Sequence, residues 1–364
     1  MARIHLDGIG HRYGGAAYAL ERSDIVFEDG KTYALLGPSG CGKTTMLNII
    51  SGLLFPSDGR VLLGDRDVTR VGTADRNIAQ VFQFPVIYQS KTVFGNLAFP
   101  LICRSWDRPR IEARVSEIAE LLGLTSRLGQ SARRLTADEK QLISLGRGLV
   151  RDDVAALLMD EPLTVIDPQM KFDLRRRIKQ ANERTRHTVV YVTHDQNEAM
   201  TFADEVLVMR AGQVVQRGTP KELFERPTNM FVGTFIGSPG MSFLPVTISG
   251  SGILVDGHVA IAVRLPEPSP GEEGLTLGIR PEHVRIAGGD EPGVPASVAG
   301  VQDYGAVRVV DLQLGSGILK MKVPRRASLP QGKIRVSFPA EHAQLYGNGN
   351  WVRSLSGAAA AATT

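Results

Sequence analysis

Residues 32 to 50 have the sequence TYALLGPSGCGKTTMLNII, and this stretch decides the fold of the first part of the chain. It begins with an apolar run at residues 32 to 36, continues with the pattern G-x-x-x-x-G-K-[ST] at residues 37 to 44, and ends in a segment typical of a helix. In a strand, loop and helix of this kind, backbone N–H groups surround a phosphate at the helix N-terminus, where the helix dipole favours an anion. The stretch therefore predicts a phosphate-binding loop.

The residue types of this loop indicate what each position does. Glycine lets the backbone turn its N–H groups inward around a β-phosphate. Lys43 is expected to reach the β- and γ-phosphates of a nucleotide, and the Thr44 hydroxyl is expected to bind the Mg²⁺ that bridges them. The residues predicted to contact the nucleotide here are Gly37, Pro38, Ser39, Gly40, Cys41, Gly42, Lys43, Thr44 and Thr45.

The composition of the 364 residues is that of a globular protein with more than one domain. Hydrophobic residues make up 43% and charged residues 22%, which excludes a disordered or collagen-like chain. The formal net charge of +4 is too small for nucleic-acid binding by bulk charge. Two cysteines cannot build a disulfide framework, so we expect a reducing compartment. No apolar run reaches about 18 residues, so any membrane association is expected to be peripheral.

Short apolar runs without alternation indicate strands of a parallel sheet that is covered on both faces. Such runs occupy residues 32–36, 154–159 and 188–192. Each run leads into a polar residue that bears on chemistry, and these residues are Gly37, Asp160 and His194. Because ligands of open α/β sheets gather at the carboxyl ends of the strands, we expect the three ends to form one site.

The chain divides into regions of different pattern. Residues 1–235 alternate strands and helices, which predicts an α/β domain, and the periodicity of residues 85–150 predicts a helical insert within it. Glycine and proline at residues 235–240 predict a hinge. Short strands broken by glycine and proline predict an all-β domain over residues 241–355, and an alanine-rich segment predicts a disordered tail at residues 356–364.

Four polar side chains are candidates for catalysis beside the phosphate loop. Asp160 follows an apolar strand, where an acidic residue is the usual second anchor for Mg²⁺. Glu161 cannot share that ligand position and is placed to polarise an attacking water as general base. His194 is expected to donate a hydrogen bond to a γ-phosphate, and the Gln83 amide to contact Mg²⁺ or the attacking water.

The order and spacing of these motifs resemble the ATPase subunits of ABC transporters, which have a P-loop NTPase fold. The motifs are the phosphate loop, Val81-Phe82-Gln83, Leu135-Thr136-Ala137-Asp138-Glu139-Lys140-Gln141, Leu158-Met159-Asp160-Glu161-Pro162, Ile166-Asp167 and His194. The resemblance implies head-to-tail pairs that hold ATP between the phosphate loop of one chain and the signature of the other. It also implies that Tyr13 stacks on adenine, with Tyr18 a weaker candidate, and that Asp167 couples the two sites.

Two C-terminal motifs narrow the resemblance to the ATPases of carbohydrate importers of the maltose-importer type. They are GSPGMSFL at residues 237–244 and LGIRPEHV at residues 277–284. ATPases of this type carry an OB-like (TOBE) β-domain used for dimer contacts and regulation, which the resemblance implies for residues 241–355. The aromatic residues of this region are scattered, so no nucleic-acid binding is expected.

The signature at residues 135–139 departs from the family's Leu-Ser-Gly-Gly-Gln and has the sequence Leu-Thr-Ala-Asp-Glu. In the family this loop meets the γ-phosphate on the opposite chain. A carboxylate about 5 Å from that anion repels it by roughly 3 kcal/mol at an effective dielectric constant of 20. Unless Lys140 or Arg134 neutralises Asp138 and Glu139, the capped site is expected to bind or hydrolyse ATP poorly. The alternative is that the loop tilts both carboxylates outward into water.

An intact phosphate loop beside a degenerate signature favours a heterodimer with a second, different ATPase, with a homodimer as the alternative. The signature region also resembles the ATPases of bacterial glycerol importers, so glycerol is the favoured cargo, followed by a sugar or glycerol phosphate. The resemblance implies two transmembrane permease subunits and a periplasmic or lipid-anchored solute-binding protein that acts indirectly. It places the chain on the cytoplasmic face of the bacterial inner membrane.

The expected activity is ATP hydrolysis with Mg²⁺, which powers import. One alternative is a non-catalytic regulatory subunit that binds ATP beside an active ATPase, which the degenerate signature favours and the presence of Glu161 and His194 opposes. A second alternative is an ABC ATPase that acts on DNA or the ribosome. Such a protein would be expected to carry tandem cassettes or a long coiled-coil insert, and the sequence has neither.

Overall fold

A computed structural model describes residues 2–250, 252–262, 274–288, 291–315, 317–328 and 332–355 of the chain. The chain divides into two compact units, Met1–Pro220 and Lys221–Thr364, and each is described by itself. The tail predicted at residues 356–364 lies outside the described residues. Among the helices within the described ranges, none combines the length and the apolar character that a membrane crossing requires.

The first unit mixes helices and strands, as the sequence predicts. Its helices are α1 (Lys43–Ser51), α2 (Val93–Ile102), α3 (Arg108–Leu121), α4 (Ala137–Leu149), α5 (Pro168–Thr185) and α6 (Gln196–Phe202). Its strands are β1 (Ile4–His11), β2 (Leu20–Phe27), β3 (Thr32–Leu36), β4 (Asp58–Leu63), β5 (Arg66–Asp67), β6 (Ile78–Val81), β7 (Ala156–Asp160), β8 (Val189–Thr193), β9 (Glu205–Arg210) and β10 (Gln213–Gly218).

The central sheet of the first unit has the strand order β10-β9-β3-β8-β7-β6. Neighbours from β9 to β6 run parallel, and β10 pairs antiparallel with β9 at the edge. The predicted run at residues 32–36 is β3, and β7 and β8 begin slightly after the starts of their predicted runs. Every residue of β3 and β8 is buried, so the prediction of a covered parallel sheet is confirmed.

A second, antiparallel sheet has the order β2-β1-β4-β5. Ile4 and Leu6 of β1 lie in the same buried apolar cluster as Met46 and Ile50 of α1. Burial of this apolar surface stabilises the sheet and the helix together. The helix that begins at the phosphate loop is therefore held between the central sheet and this second sheet, and β1 ends at His11, shortly before Tyr13.

The segment predicted as a helical insert contains α2, α3 and α4. The periodic positions Ile111, Val115, Ile118 and Ala119 of α3 are all buried. They belong to one apolar cluster that also contains residues of the two neighbouring helices. The period of three and four residues in the sequence therefore identified the face of α3 that packs.

Arg76 fixes the C-terminal end of α1. Its side chain is 2% exposed and donates hydrogen bonds to the carbonyl oxygens of Ile49 at 2.7 Å and Ile50 at 2.8 Å. It also donates to the carbonyl oxygen of Val71 at 2.9 Å. Burial lowers the pKa of Arg76, but the last carbonyl groups of a helix carry the negative end of its dipole and stabilise a cation there. Arg76 therefore anchors the phosphate-loop helix at the end away from the loop.

The second unit consists mostly of strands. Its helices are α7 (Pro220–Glu225), which begins at the last residue of the first unit, and α8 (Met230–Phe235). Its strands are β11 (Ser242–Pro245), β12 (Thr247–Ser249), β13 (Gly252–Val255), β14 (His258–Ile261), β15 (Thr276–Ile279), β16 (Arg285–Ile286), β17 (Val294–Asp303), β18 (Val307–Leu314), β19 (Gly317–Pro324), β20 (Lys333–Ser337), β21 (Gln344–Gly347) and β22 (Asn350–Ser354).

The strands of the second unit form small antiparallel sheets. Their orders are β11-β15-β21-β22, β12-β13-β14 and β16-β20-β17-β18-β19. One buried apolar cluster contains residues from all three sheets, including Leu244, Ile253 and Leu312. The prediction of an all-β, OB-like C-terminal domain is therefore confirmed, because the strands pack around a core of their own.

The boundary between the units differs from the predicted hinge at residues 235–240, because the first unit ends at Pro220 and not at 235. The cause is Arg280, which lies in the β-domain and is 2% exposed. Its guanidinium donates hydrogen bonds to the carbonyl oxygens of Phe224, Gly233 and Ile236, and burial lowers its pKa to about 10. These bonds tie α7 and α8 to the β-domain, although their sequences resemble a continuation of the α/β pattern.

Replacing Arg76 by Leu should reduce the free energy of unfolding of the first unit by about 2–4 kcal/mol, because several buried carbonyl groups lose their donor. Trp106 lies in the first unit and Trp351 in the second, so Trp106 fluorescence in a Trp351→Phe background follows the first unit during urea unfolding. The matched control is Arg66→Leu, which alters an exposed arginine of the same unit. Equal effects of the two changes would contradict this role of Arg76.

Candidate functional site

The phosphate loop connects β3 to α1, as the sequence predicts, and it requires glycine at two positions. A Cβ atom at Gly37 would lie 2.3 Å from the carbonyl oxygen of Met209. A Cβ atom at Gly42 would lie 2.8 Å from the carbonyl oxygen of Ala19, and Gly42 also has a φ of +101°. Both contacts are with backbone that cannot move aside cheaply, so the loop is built against its neighbours at the N-terminus of α1.

Lys43 lies inside the curve of the loop. Its ammonium group donates hydrogen bonds to the carbonyl oxygens of Gly37 at 2.8 Å and Pro38 at 2.9 Å, and the residue is 6% exposed. The Cys41 side chain is also buried, with its Sγ 3.7 Å from the Lys43 Nζ. Only the backbone of Cys41 is therefore accessible to a ligand in the loop. The loop therefore surrounds a fixed positive charge, which is the feature that an anion with several oxygens requires.

Thr44 and Asp160 meet at the start of α1 and the end of β7. The Thr44 hydroxyl donates a hydrogen bond to Asp160 Oδ1 at 3.3 Å. Burial raises the pKa of the Asp160 carboxyl, while the hydrogen bond from Thr44 opposes that shift. A carboxylate that burial makes costly to ionise gains most from a nearby cation. Hydroxyl and carboxylate oxygens are also the ligands that Mg²⁺ prefers, so this pair fits the predicted magnesium site.

The predicted catalytic residues converge on one oxygen atom. Oε2 of Glu161 lies 3.2 Å from Nε2 of Gln83 and 3.1 Å from Nδ1 of His194. The Thr164 hydroxyl donates to the same oxygen at 3.3 Å, although no sequence pattern indicates this residue. The Gln83 amide thus lies on Glu161, whereas the sequence predicted a contact with Mg²⁺ or water. Within the described residues no protein partner holds Oε1 of Glu161, so that oxygen is available to a water molecule.

Glu161 has an unusual backbone conformation. Its φ is +45°, in the left-handed region that residues other than glycine adopt rarely. Its N–H group donates to the carbonyl oxygen of Val192 at 2.9 Å, which extends the pairing of β7 and β8 by one bond. The parallel pairing therefore holds Glu161 in a conformation that turns the chain directly after Asp160.

Tyr13 lies beside the phosphate loop, with its hydroxyl 3.2 Å from the Thr45 hydroxyl. Its side chain is 61% exposed, so a flat ligand can reach the ring. Tyr18 differs, because the guanidinium of Arg12 lies 3.9 Å from its ring centroid and its hydroxyl donates to Asp58. Of the two tyrosines named from the sequence, the structure therefore leaves Tyr13 the more accessible.

The signature residues form the N-terminus of α4. Thr136 is the N-cap, and it exchanges hydrogen bonds with Glu139 in a capping box. The second oxygen of Glu139 pairs with Arg127 Nε at 2.8 Å. Neutralisation of this carboxylate, the condition that the sequence sets for Lys140 or Arg134, is met instead by Arg127, which reaches it from the segment before α4.

Asp138 is also held within the signature. The Thr136 hydroxyl donates to Asp138 Oδ1, and this bond lowers the pKa of the Asp138 carboxyl. Leu135 is buried, and Ala137 is the first residue of the helix. The hydroxyl that the family resemblance assigns to a phosphate is thus bonded within its own loop, and a phosphate would have to compete with Asp138 for it.

Asp167 and Gln141 organise the surroundings of the site. Asp167 is the N-cap of α5 and accepts a hydrogen bond from the Gln169 N–H at 2.9 Å. Gln141 of α4 is 0% exposed, and its amide donates to the carbonyl oxygens of Phe82 at 3.1 Å and Pro162 at 2.9 Å. The sequence placed Gln141 in the signature region without assigning it a task.

Comparisons with protein families agree with this geometry. A family model described as ABC transporter matches residues 20–164, a MalK OB fold domain matches residues 237–284, and a TOBE domain matches residues 277–345. These matches cover the phosphate loop, the signature, Asp160 and Glu161, and most of the β-domain. The assignments from the sequence and from the structure therefore agree for both parts of the chain.

Similar proteins support the same conclusion. The sn-glycerol-3-phosphate import ATP-binding protein UgpC of Yersinia pestis is 39% identical over 84% of this chain and 86% of its own length. The protein of that name from Cereibacter sphaeroides is 38% identical over 95% of this chain and 98% of its own length. That from Chromohalobacter salexigens is 41% identical over 78% of this chain and 76% of its own length.

Solved structures share the fold of the first part of the chain. CbiO1 from Clostridium perfringens, part of the ABC transporter complex cbiONQ, matches with a TM-score of 0.56 and 24% identity over 60% of this chain and 89% of its own. The ATP-binding cassette MJ0796, in a dimeric post-hydrolysis state with ADP and Pi, matches with a TM-score of 0.55 and 25% identity over 60% of this chain and 98% of its own. The chain therefore belongs to the ABC transporter ATP-binding proteins, in the group that carries a MalK OB fold and a TOBE domain after the cassette.

Proposed function

We propose that this chain is the ATP-hydrolysing subunit of a bacterial importer for sn-glycerol 3-phosphate or a closely related phosphorylated polyol or sugar. The observation that carries the proposal is the meeting of the Thr44–Asp160 pair with the Glu161 cluster at the ends of the central strands. The relatives named for sn-glycerol-3-phosphate import support the cargo. Glycerol, the first expectation from the sequence, has no such support, because none of the relatives reported above is named for glycerol.

The chain's own residues carry out the binding step. Lys43 exchanges its hydrogen bonds to the Gly37 and Pro38 carbonyls for oxygens of the β- and γ-phosphates. The loop amides contact the same phosphates, and the exposed ring of Tyr13 stacks on the adenine. Thr44 and Asp160 would hold Mg²⁺, and a bound ion would supply positive charge beside the phosphates.

Glu161 acts as the general base. Gln83, Thr164 and His194 hold its Oε2, so that Oε1 accepts a proton from the attacking water. The oxygen of that water forms a bond to the γ-phosphorus, the bond to the leaving ADP oxygen breaks, and phosphate is released. His194, which is 57% exposed, is able to turn toward the γ-phosphate and stabilise its developing charge.

The helical insert offers a surface for the membrane subunits. A groove of about 270 Å³ is lined in part by Phe82, Val86 and Pro100. Phe84, which lies between Phe82 and Val86 in the sequence, is 71% exposed, and Ile102, which follows Pro100 by two residues, is 56% exposed. Large exposed apolar side chains around a groove are typical of a protein interface. We place two transmembrane permease subunits on this surface of two paired cassettes, at the cytoplasmic face of the inner membrane, with the solute-binding protein acting through the permease.

The two cassettes are proposed to be copies of this chain. The sequence favours a heterodimer with a different ATPase because two free carboxylates in the signature would repel the nucleotide. The pairing of Glu139 with Arg127 removes part of that repulsion, so the physical reason for a different partner is weaker. The dimeric state of the similar cassette MJ0796 supports pairing of cassettes. The second unit is proposed to add dimer contacts and regulation.

The central test of this function is ATP binding by the purified chain. Calorimetry should show Mg²⁺-dependent heat on addition of ATP, and Lys43→Ala should weaken the affinity about 100-fold through loss of a charged hydrogen-bond donor to the phosphates. Lys31→Ala, which alters a partly exposed lysine of the same unit, should bind ATP as the wild type does. Absence of magnesium-dependent heat with the wild type would overturn the proposed function.

Glu161→Gln should retain ATP binding and lower the rate of phosphate release about 10²- to 10⁴-fold, because the amide cannot accept the proton. With ATP bound and turnover blocked, this variant alone should elute from size-exclusion chromatography as a dimer. Glu183→Gln, an exposed change on α5, is the matched control. Undiminished turnover would remove Glu161 as the base, and dimer formation only after addition of a second ATPase would establish the heterodimer.

Arg127→Gln should lower ATP turnover about fivefold, because freeing the Glu139 carboxylate at the signature costs about 1 kcal/mol near the phosphate. Steady-state phosphate release measures the effect. Arg133→Gln, an exposed arginine two residues before the signature, should leave turnover unchanged. Adding Glu139→Gln to Arg127→Gln should restore much of the rate, and failure of this rescue would contradict a role for Arg127 in neutralising Glu139.

A further inference from the structure

Gln141 is a buried polar residue whose position invites a functional explanation. It lies on α4, shortly after the signature, and is 0% exposed. Its Nε2 donates one hydrogen bond to the carbonyl oxygen of Phe82 and one to that of Pro162. Since an amide NH₂ group has two hydrogens, both of its donors are used, and two carbonyl acceptors fix which end of the amide is nitrogen.

The two acceptors flank the catalytic cluster. Phe82 immediately precedes Gln83, and Pro162 immediately follows Glu161. One side chain therefore joins the backbone beside the amide donor to the backbone beside the carboxylate acceptor. The distance of 3.2 Å between Gln83 Nε2 and Glu161 Oε2 depends on the relative position of these two segments, which follow the paired strands β6 and β7. The ladder of these strands ends at Val81 and Met159, and Gln141 joins the two segments beyond that point.

The other polar atom of the Gln141 side chain indicates that stability does not explain the residue. Its Oε1 is buried and has no hydrogen-bond partner within the described residues. An unpaired buried acceptor costs about 1–3 kcal/mol, and an apolar side chain of similar volume would avoid that cost. Gln141 thus stabilises the fold through two donated hydrogen bonds and destabilises it through one unpaired oxygen. The two donated bonds also hold two backbone segments at a fixed separation, which an apolar side chain could not do.

We propose that Gln141 is a positioning residue that sets the contact between Gln83 and Glu161 and links it to the signature helix. Any displacement of α4 at its signature end is passed by this amide to the backbone on both sides of the general base. Gln141 touches neither nucleotide nor water in this scheme and acts through Gln83 and Glu161. The inference rests on the proposed roles of those two residues.

Gln141→Met tests the proposal, because Met has a similar volume and no donor. The rate constant kcat for ATP hydrolysis by the full purified chain should fall at least about tenfold, since small displacements of catalytic groups are costly, while KM for ATP stays within about twofold. The thermal midpoint should fall by only a few degrees, because removal of the unpaired Oε1 offsets part of the cost of leaving the Phe82 and Pro162 carbonyl oxygens without a donor. Gln141→Asn keeps the amide on a shorter side chain and should give a smaller loss, and it carries the test if the Met variant does not fold.

Ser144→Ala is the matched control on the same helix. The Ser144 hydroxyl is buried and accepts a hydrogen bond from the Val86 N–H at 3.2 Å, so it also holds backbone of the insert, but not beside a catalytic residue. This change should leave kcat within about twofold of the wild type. An equal loss in both variants would overturn the proposal in favour of a general effect on the insert.

A double-mutant cycle identifies the route of the effect. In a Gln83→Ala background, Gln141→Met should lower kcat less than about threefold further, because the contact that Gln141 sets is already lost. A full tenfold loss in that background, an unchanged kcat in the single variant, or a rise in KM that accounts for the loss would each overturn the proposal. Absence of hydrolysis in the wild type, or an active Glu161→Gln variant, would instead overturn the proposed function.

Discussion

The parallel pairing of β3, β8 and β7 is the constraint on which the site depends. Parallel strands end at the same edge of a sheet, so the phosphate loop after β3, Asp160 at the end of β7 and His194 after β8 are brought together by main-chain hydrogen bonds. A further main-chain hydrogen bond at the carboxyl end of the ladder, from the Glu161 N–H to the carbonyl oxygen of Val192, then places the proposed base next to Asp160. Side chains separated widely in sequence thus form one site.

The parts of this structure that follow from local pattern were predictable from the sequence. The loop between β3 and α1 could be predicted because glycine, lysine and threonine at this spacing have few alternative explanations. The packed face of α3 could be predicted because the period of its apolar residues follows its buried side. The roles of Arg127, Thr164 and Gln141 could not be predicted from the sequence. Their contacts depend on side-chain rotamers or on segments that only the fold brings together. The division between the compact units at Pro220 was also not predictable, because Arg280 binds α7 and α8 through hydrogen bonds that no periodicity indicates.

Local structure in the signature alters the electrostatic effect expected of its two acidic residues. Two carboxylates at the N-terminus of α4 were expected to act as free charges, yet acidic residues in the first turn of a helix are favoured by the helix dipole and by capping. Glu139 completes a capping box and pairs with Arg127, and Asp138 accepts from Thr136. The charge of Glu139 is therefore paired within the chain, whereas Asp138 keeps its charge, repels a phosphate and competes with it for the Thr136 hydroxyl.

One strained residue and one unpaired buried atom lie at or beside the catalytic cluster. Glu161 has a left-handed backbone, and Gln141 carries an unpaired buried oxygen. Each feature costs free energy, of order 1–3 kcal/mol for a residue held in an unusual backbone conformation. The surrounding sheet tolerates these costs because β3 and β8 are buried along their whole length and supply apolar contacts in excess. The sheet and the site thus have complementary properties. The buried strands hold the backbone in place, and they allow Glu161 to keep an unusual backbone conformation at the end of β7, where the proposed catalytic groups lie.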